Sequence, residues 1–228
     1  MSSTSNRKTI VILGALDTKG AEFAFIKDLI EKEEIDTLVV DFGTMGEPGF
    51  KPDIARVEVA VAGGGDLAYL ELGEHKDEAM EIMAEGAAVV VRRLYDEGEL
   101  GGIISMGGSG GTSIATTAMR VLPVGVPKVM VSTVAGGDVS RYAGTRDITF
   151  IPSIVDVAGI NSISRRIFTN AAGAIVGMVK LSEPQAEGER PLVTASMFGN
   201  TTACVERARG VLEQGGYEVL VFHSTGIG

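Results

Sequence analysis

From Ile103 to Ser113 the chain reads Ile-Ile-Ser-Met-Gly-Gly-Ser-Gly-Gly-Thr-Ser. The apolar and small residues at the start of this run are typical of the end of a buried strand, and the glycines that follow indicate a turn. Beyond them, the Ala- and Thr-rich run 114–122 predicts a helix. A strand, a turn and a helix in this order form the repeating unit of an α/β protein.

The glycine turn has the composition of an anion-binding site. Residues without a Cβ atom adopt positive φ easily and let a ligand approach the backbone closely. The free N–H groups and the positive dipole end of the following helix then face that ligand. We therefore predict phosphate binding by the residues of the turn and the helix start, which are Gly107, Gly108, Ser109, Gly110, Gly111 and Thr112. The alternative is a turn that only packs tightly, because the run matches neither GxxxxGK[ST] nor GxGxxG.

Apolar runs and helical patterns alternate along the rest of the chain. Strands are predicted at residues 9–13, 37–42, 102–105, 127–132 and 148–151, and helices after Gly20 and at 76–97, 114–122 and 161–181. This alternation predicts an open, mostly parallel, Rossmann-like α/β sheet with helices on both faces.

A charged segment with prolines divides the chain. Residues 1–182 are predicted to form a Rossmann-like nucleotide-binding subdomain and residues 183–190 a linker. The pattern then restarts with a strand at 192–197, a helix at 203–214 and a strand at 217–222. One β–α–β unit is too small to fold alone. Residues 191–228 therefore either extend the edge of the first sheet or open a second, truncated Rossmann-like subdomain, and we favour the second interpretation.

Polar residues follow the predicted strands where ligands of such sheets gather, at the carboxyl ends. Lys19 begins a helix just past the first strand and is predicted to add charge at a phosphate, beside Thr18. Thr133 and Gly137 follow the fourth strand and are predicted to contact the same ligand. Lys19 is equally compatible with a solvated position at a helix start.

Two aspartates are the candidate metal ligands of these strand ends. Asp17 follows the first strand and Asp138 the fourth, and either is expected to hold a divalent cation, directly or through water. Asp17 is also predicted to contact the nucleotide itself, at its ribose. The alternative for both is a helix cap, since aspartate is a favoured capping residue.

Composition narrows the possible partners. The chain has 228 residues with 20 Lys and Arg against 30 Asp and Glu, a formal net charge of −10, which argues against binding to duplex nucleic acid.

Cys204 is the only cysteine, so an intramolecular disulfide and a cysteine-built zinc site are excluded and a reducing cytosol is favoured. No apolar run approaches the roughly 20 residues of a membrane helix. We expect a soluble, cytoplasmic protein without a membrane partner.

Six runs spread along nearly the whole chain share a family likeness. They read Leu-Gly-Ala-Leu-Asp-Thr-Lys-Gly at 13–20, Met-Gly-Gly-Ser-Gly-Gly-Thr-Ser-Ile-Ala-Thr at 106–116, Leu-Pro-Val-Gly-Val-Pro-Lys at 122–128, Val-Ser-Thr-Val-Ala-Gly-Gly-Asp-Val at 131–139, Val-Asp-Val-Ala-Gly-Ile-Asn at 155–161 and Met-Phe-Gly-Asn-Thr-Thr at 197–202. Together they resemble the tomato mosaic virus resistance protein-like ATP-binding family. The resemblance implies two Rossmann-like subdomains that bind ATP with a divalent metal such as Mg²⁺ and form a homodimer. It also implies a barrel-like domain, or a neighbouring protein of that type, as a partner.

The residues and the resemblance together predict an ATP-binding domain with phosphates held by glycine-rich strand-to-helix loops. Two other function classes stay open. One is a subunit or domain of an enzyme that acts on a small phosphorylated or carboxylated metabolite. The other is a protein-interaction module that nucleotide stabilises. The sequence offers no evident catalytic nucleophile with its base, so it leaves open whether the protein is an enzyme.

Overall fold

A computed structural model describes residues 9–73, 75–182 and 190–225. The chain divides into two compact units, Met1–Ser182 and Glu183–Gly228. None of the helices in the described ranges combines the length and the apolar character that crossing a membrane requires.

Strands and helices alternate through the first unit. Its strands are β1 (Ile10–Gly14), β2 (Thr37–Asp41), β3 (Gly102–Gly107), β4 (Lys128–Ser132) and β5 (Thr149–Pro152). Its helices are α1 (Leu16–Glu31), α2 (Arg56–Ala62), α3 (Leu67–Leu70), α4 (Lys76–Asp96), α5 (Ser109–Arg120), α6 (Ser140–Ala143) and α7 (Ser162–Leu181).

The strands form one parallel sheet in the order β2-β1-β3-β4-β5. Helices α1 and α7 pack on one face, where Phe23 and Phe168 join a core with Ile12 of β1. Helices α4 and α5 pack on the other face, where Met83 and Met119 join a second core. The predicted open α/β sheet with helices on both faces is therefore confirmed. Its strand order, 2-1-3-4-5, is one of the two common doubly wound orders.

Strand β1 shows why the sheet forms from this sequence. The side chains of Ile10, Val11, Ile12 and Leu13 are fully buried and alternate between the two cores. An interior parallel strand covered on both faces requires such a continuous apolar run. Each of these side chains contributes about 1.5–3 kcal/mol through burial.

The glycine turn differs from its prediction in two respects. Helix α5 begins at Ser109 and not at residue 114, so Gly110 and Gly111 lie in its first turn. The glycines of the turn also do not have positive φ. Other glycines of the described residues do, among them Gly64 and Gly125. Local propensity disfavours glycine in a helix. The buried apolar residues later in α5, among them Ile114 and Met119, outweigh that preference by packing on the sheet.

The second unit has the β–α–β order that the sequence predicts. Strands β6 (Leu192–Met197) and β7 (Glu218–His223) pair in parallel, and helix α8 (Thr202–Gln214) connects them after a short 3-10 turn at Gly199–Thr201. Helix α8 has no buried residue, and large apolar side chains such as Phe198 and Val211 are exposed.

Candidate functional site

The carboxyl ends of β1, β3 and β4 lie side by side at one edge of the sheet. Gly107, the last residue of β3, is in register with Ser132, the last residue of β4, and β1 pairs with the other side of β3. Chain connections reverse direction between β1 and β3, because β2 lies on one side of β1 and the later strands lie on the other. This reversal point is where ligands bind in open α/β sheets.

Helix α5 presents an uncapped N-terminus at this point. Its N-cap residue is Gly108, which has no side chain to accept a hydrogen bond from the helix, and its first turn contains no acidic residue. The first N–H groups of a helix have no intrahelical acceptor, and the helix dipole adds a partial positive charge there. Both features favour an anion in front of Ser109, Gly110 and Gly111.

Packing does not require glycine at three positions of this turn. A Cβ atom at Gly108 would lie 3.8 Å from Thr133 Oγ1, one at Gly111 3.8 Å from the Met106 carbonyl oxygen, and one at Gly110 3.4 Å from Met80 Cε. These are ordinary van der Waals contacts. Gly14 is different, because a Cβ there would lie 2.2 Å from the ring of Phe23. The fold therefore requires glycine at the end of β1, whereas at the start of α5 it does not.

Thr133 lies beside the glycine turn, as predicted. Its N–H donates to the Gly107 carbonyl at 3.2 Å, and its hydroxyl oxygen is 3.8 Å from the Cβ position of Gly108. Its side chain is exposed. An exposed hydroxyl at this position can donate to the same anion as the N–H groups of α5.

Gly137 and Asp138 belong to the next turn of the chain. The Gly137 N–H donates to the Val134 carbonyl at 3.1 Å. The exposed carboxylate of Asp138 accepts from the Ser140 N–H at 2.9 Å and so closes an Asx-turn before the short helix α6. Hydrogen bonds from the backbone and side chain of Ser140 hold the pKa of Asp138 below its usual value. The carboxylate thus closes a turn just before α6, whose N-cap residue is Val139 and not Asp138.

Lys19 lies inside α1 and not at its start. The helix begins at Leu16, and its backbone departs from helical geometry at Lys19, with φ −135° and ψ 26°. The ammonium group donates to the Val157 carbonyl in the segment between β5 and α7. Thr18, next to it, is exposed. An ammonium group has three donors, so the bond to Val157 leaves donors for a phosphate.

Two carboxylates meet at Gly43, after β2. Asp17 accepts from the Met45 N–H at 2.6 Å through Oδ2, and Asp41 accepts from Leu16 N–H at 3.0 Å and Gly43 N–H at 2.8 Å through Oδ1. A Cβ atom at Gly43 would be 2.6 Å from Asp17 Cγ, so only glycine fits beside this carboxylate. Burial raises the pKa of Asp41, and the charge of Asp17 raises it further. The two N–H donors lower it, but by less, so the pKa lies above its usual value.

Each of these carboxylates keeps a buried oxygen without a hydrogen-bond partner, Oδ1 of Asp17 and Oδ2 of Asp41. Carboxylate oxygens without a partner are the type of ligand that a divalent cation such as Mg²⁺ prefers. No group of three or more His, Cys, Asp or Glu side chains in the described ranges is arranged for a metal, so such a cation would complete its shell with water or phosphate. Sequence reasoning missed Asp41, although an acidic residue at the end of an apolar strand was a usable signal.

Two cavities flank the glycine turn. The α4–α5 pocket has a volume of about 270 Å³ and is lined mostly by apolar side chains, among them Phe42, Leu70, Met80 and Ile114. The β4–β5 cleft has a volume of about 510 Å³ and is lined by Thr133, Gly136 and residues 152–156. Both open at the carboxyl edge of the sheet, where β2, β4 and β5 end.

Comparison with known proteins identifies a family. A model described as Uncharacterised protein family (UPF0261) N-terminal domain matches residues 8–184, and the C-terminal domain of the same family matches residues 190–228. The UPF0261 protein of Clostridium tetani is 55% identical over 221 residues, which is 97% of this chain and 55% of that protein. The ToMV resistance protein Tm-1(GCR237) of Solanum lycopersicum is 34% identical over 248 residues, covering 98% of this chain and 32% of that protein. These matches confirm the predicted family likeness.

The chain spans about half the length of the bacterial relatives that it matches. A solved structure, a putative hydrolase of the α/β superfamily from Xanthomonas campestris, is a distant neighbour with 15% identity and a TM-score of 0.36. It covers 76% of this chain and 99% of its own.

Proposed function

The chain belongs to the UPF0261 family, and from this membership and the geometry of the β3–α5 turn we propose that its first unit binds ATP. The N–H groups of Ser109, Gly110 and Gly111 hold the phosphates. The Thr133 hydroxyl donates to them from β4, and Lys19 contributes charge from α1. The choice of adenine rests on the resemblance to the tomato resistance protein-like family.

One observation carries the proposal, and it concerns Gly110 and Gly111 in the first turn of α5. The fold leaves room for a Cβ at each of them, and neither needs positive φ. Glycine within a helix costs about 0.5–1 kcal/mol relative to alanine. A close approach of a ligand to the backbone accounts for that cost, because side chains at a helix start lean towards the N-terminus and would cover the N–H groups.

Magnesium is the second part of the proposal. Asp17 and Asp41 each supply a buried carboxylate oxygen that has no hydrogen-bond partner. Asp138 is the weaker candidate, since its carboxylate already accepts from Ser140. The cation would neutralise charge on the phosphates and on the carboxylates themselves.

The Gly111→Ala variant tests the phosphate site. The new methyl group has an ordinary contact with the Met106 carbonyl, so the helix gains about 0.5–1 kcal/mol of stability. The same methyl group covers the N–H groups, and we expect calorimetry with ATP and Mg²⁺ to show at least a tenfold loss of affinity. Gly173→Ala is the matched control, because Gly173 is in α7 with nothing within 4 Å of its Cβ position. Unchanged affinity in Gly111→Ala rules out the proposed site.

An enzyme that acts on a small phosphorylated metabolite is the second candidate. The β4–β5 cleft favours it, since Asp156 and Thr133 offer polar groups within a space of about 510 Å³. A thermal-shift screen separates the two functions. A sugar phosphate or a phosphorylated acid that stabilises the protein more than ATP does supports the enzyme.

Partners are proposed on the resemblance alone. A homodimer and a barrel-like partner domain are the expected assemblies, and light scattering of the ATP-bound protein tests the dimer. Persistence of the dimer with no detectable ATP turnover would favour the interaction module.

A further inference from the structure

Ile154 has a backbone conformation that is rare for its residue type. Its φ is 63°, in the left-handed region that β-branched side chains avoid because Cβ crowds the backbone. Its side chain is nevertheless 76% exposed. The strain therefore brings no compensating burial of the isoleucine in the core.

The surrounding hydrogen bonds impose this conformation. The Val155 N–H donates to the Ser153 carbonyl at 2.7 Å, which closes a γ-turn with Ile154 at its centre. The Ser153 hydroxyl donates to the Val155 carbonyl at 2.6 Å, and the Ser153 N–H donates to Ser132 at the end of β4. Ser153 is buried, so the turn is anchored to the sheet. Such strain persists only where its surroundings fix it, and it concentrates at functional sites.

The turn places Ile154 in the wall of the β4–β5 cleft, between Ser153 and Val155. Thr133 lines the same cleft and also lies beside Gly108 of the glycine turn. The cleft thus reaches from the start of α5 to the strained turn. Pro152 and Ile154 offer apolar surface for the flat face of a ring. The exposed carboxylate of Asp156 offers acceptors for hydroxyl groups attached to that ring.

We propose that Ile154 is a specificity-determining residue that packs against the base of the bound nucleotide, with Asp156 accepting hydrogen bonds from the ribose hydroxyls. This assignment rests on the proposed function, in which the phosphates lie at the start of α5. The exposed isoleucine supplies an apolar surface for the base, and the γ-turn holds it in that position without requiring ligand to order it.

The chain offers a matched control for strain. Glu34 also has a positive φ, 60°, in the turn between α1 and β2. This turn precedes β2, whereas the cleft follows β4 and β5, so the two residues lie at opposite edges of the parallel sheet. Asparagine occurs at positive φ several-fold more often than other non-glycine residues do. Both Ile154→Asn and Glu34→Asn relieve strain, but only the first changes the cleft.

The experiment compares wild type, Ile154→Asn and Glu34→Asn with two probes, ATP and inorganic tripolyphosphate, in Mg²⁺. We expect both variants to melt about 2–4 °C above wild type. We expect Ile154→Asn to bind ATP about tenfold more weakly and tripolyphosphate unchanged, and Glu34→Asn to bind both as wild type does.

Three results would overturn the assignment. The first is an Ile154→Asn variant that binds ATP as tightly as wild type does. The second is an equal loss for both probes, which would assign Ile154 to the phosphate site. The third is a higher melting temperature in Glu34→Asn alone, which would show that Ile154 is not strained. Failure of the proposed function is a separate result, since wild type itself would then bind neither probe.

Discussion

The hydroxyl oxygens of Thr112 in α5 and Ser132 at the end of β4 lie 2.6 Å apart, and both side chains are fully buried. The Thr112 hydroxyl also lies 2.8 Å from the Gly108 carbonyl, to which it donates. A hydroxyl has one proton, so Ser132 is the donor to Thr112. Ser132 in turn accepts from the Val134 N–H at 3.2 Å. One short chain of hydrogen bonds therefore joins the start of α5 to the loop that carries Thr133.

Removing one hydroxyl from this chain tests its contribution. In Thr112→Val the Gly108 carbonyl and the Ser132 hydroxyl both lose a buried partner. We expect the free energy of unfolding to fall by about 1–3 kcal/mol and the affinity for ATP to fall with it, as measured by urea titration and calorimetry. Thr169→Val is the control, because Thr169 makes the same type of bond to Arg165 on an exposed helix surface. Equal losses in both variants would contradict a special role for the buried pair.

A substitution at Asp41 distinguishes the role of this carboxylate in cation binding from its effect on the stability of the fold. Asp41→Asn keeps an oxygen that accepts from Leu16 and Gly43, and it places an amide donor near Asp17. Without divalent cations we expect the free energy of unfolding of this variant to exceed that of wild type by about 1 kcal/mol, because the variant no longer buries an unpaired charge.

With Mg²⁺ the order of stability in this test should reverse. The wild type gains stability by binding the cation and the Asp41→Asn variant does not. Asp53→Asn is the control, since Asp53 also accepts a backbone N–H at β2, from Val39 at 2.8 Å. Melting curves in EDTA and in Mg²⁺ measure both arms. A wild type that Mg²⁺ does not stabilise would rule out the metal site.

The sequence predicted the strands and helices of this protein more completely than the contacts of its candidate site. Continuous apolar runs such as β1 can be read directly, because a strand buried on both faces has no other composition. The bond from Lys19 to Val157 joins residues 138 positions apart, and no local pattern predicts such a contact. The start of α5 and the strain at Ile154 were missed for a related reason. In both places tertiary packing and hydrogen bonding override the local preference of the residue type.

An ion pair between a buried lysine and a partly exposed aspartate, at the opposite edge of the sheet, predicts a pH dependence. Lys128 is buried at the start of β4 and donates to Asp147 at 2.8 Å. Burial alone would raise the pKa of Asp147, but hydrogen bonds from Lys128 and the Gly125 N–H hold it below its usual value of 3.8. A carboxyl group with a lowered pKa stabilises the fold above its unfolded pKa, and this contribution is lost as the pH falls through the folded value.

The Asp147→Asn variant should therefore be less stable than wild type at pH 7, by about 1–2 kcal/mol, because Lys128 is fully buried whereas solvent screens part of the charge of Asp147, which is 40% exposed. The difference should shrink below pH 4, where wild-type Asp147 becomes protonated. Asp96→Asn is the control, because the Arg92–Asp96 pair is about half exposed and such pairs contribute at most about 1 kcal/mol. Urea titrations from pH 7 to pH 3 measure the difference. A gap that stays constant over this range would contradict the assignment.

Lys19 provides the most direct test of charge at the phosphates. Lys19→Met removes the ammonium group and keeps most of the aliphatic stem. We expect it to weaken ATP binding by about tenfold and AMP binding by much less, because an ammonium group near the outer phosphates acts through their charge. The loss for ATP should also shrink at high salt, since a partly exposed interaction is screened. Lys27→Met is the matched control on the same helix, where Lys27 forms only an exposed pair with Glu31 among the described residues. Calorimetry at two salt concentrations measures the affinities of wild type and both variants for ATP and AMP. An equal loss for ATP and AMP in Lys19→Met would show that Lys19 acts through its bond to Val157 alone.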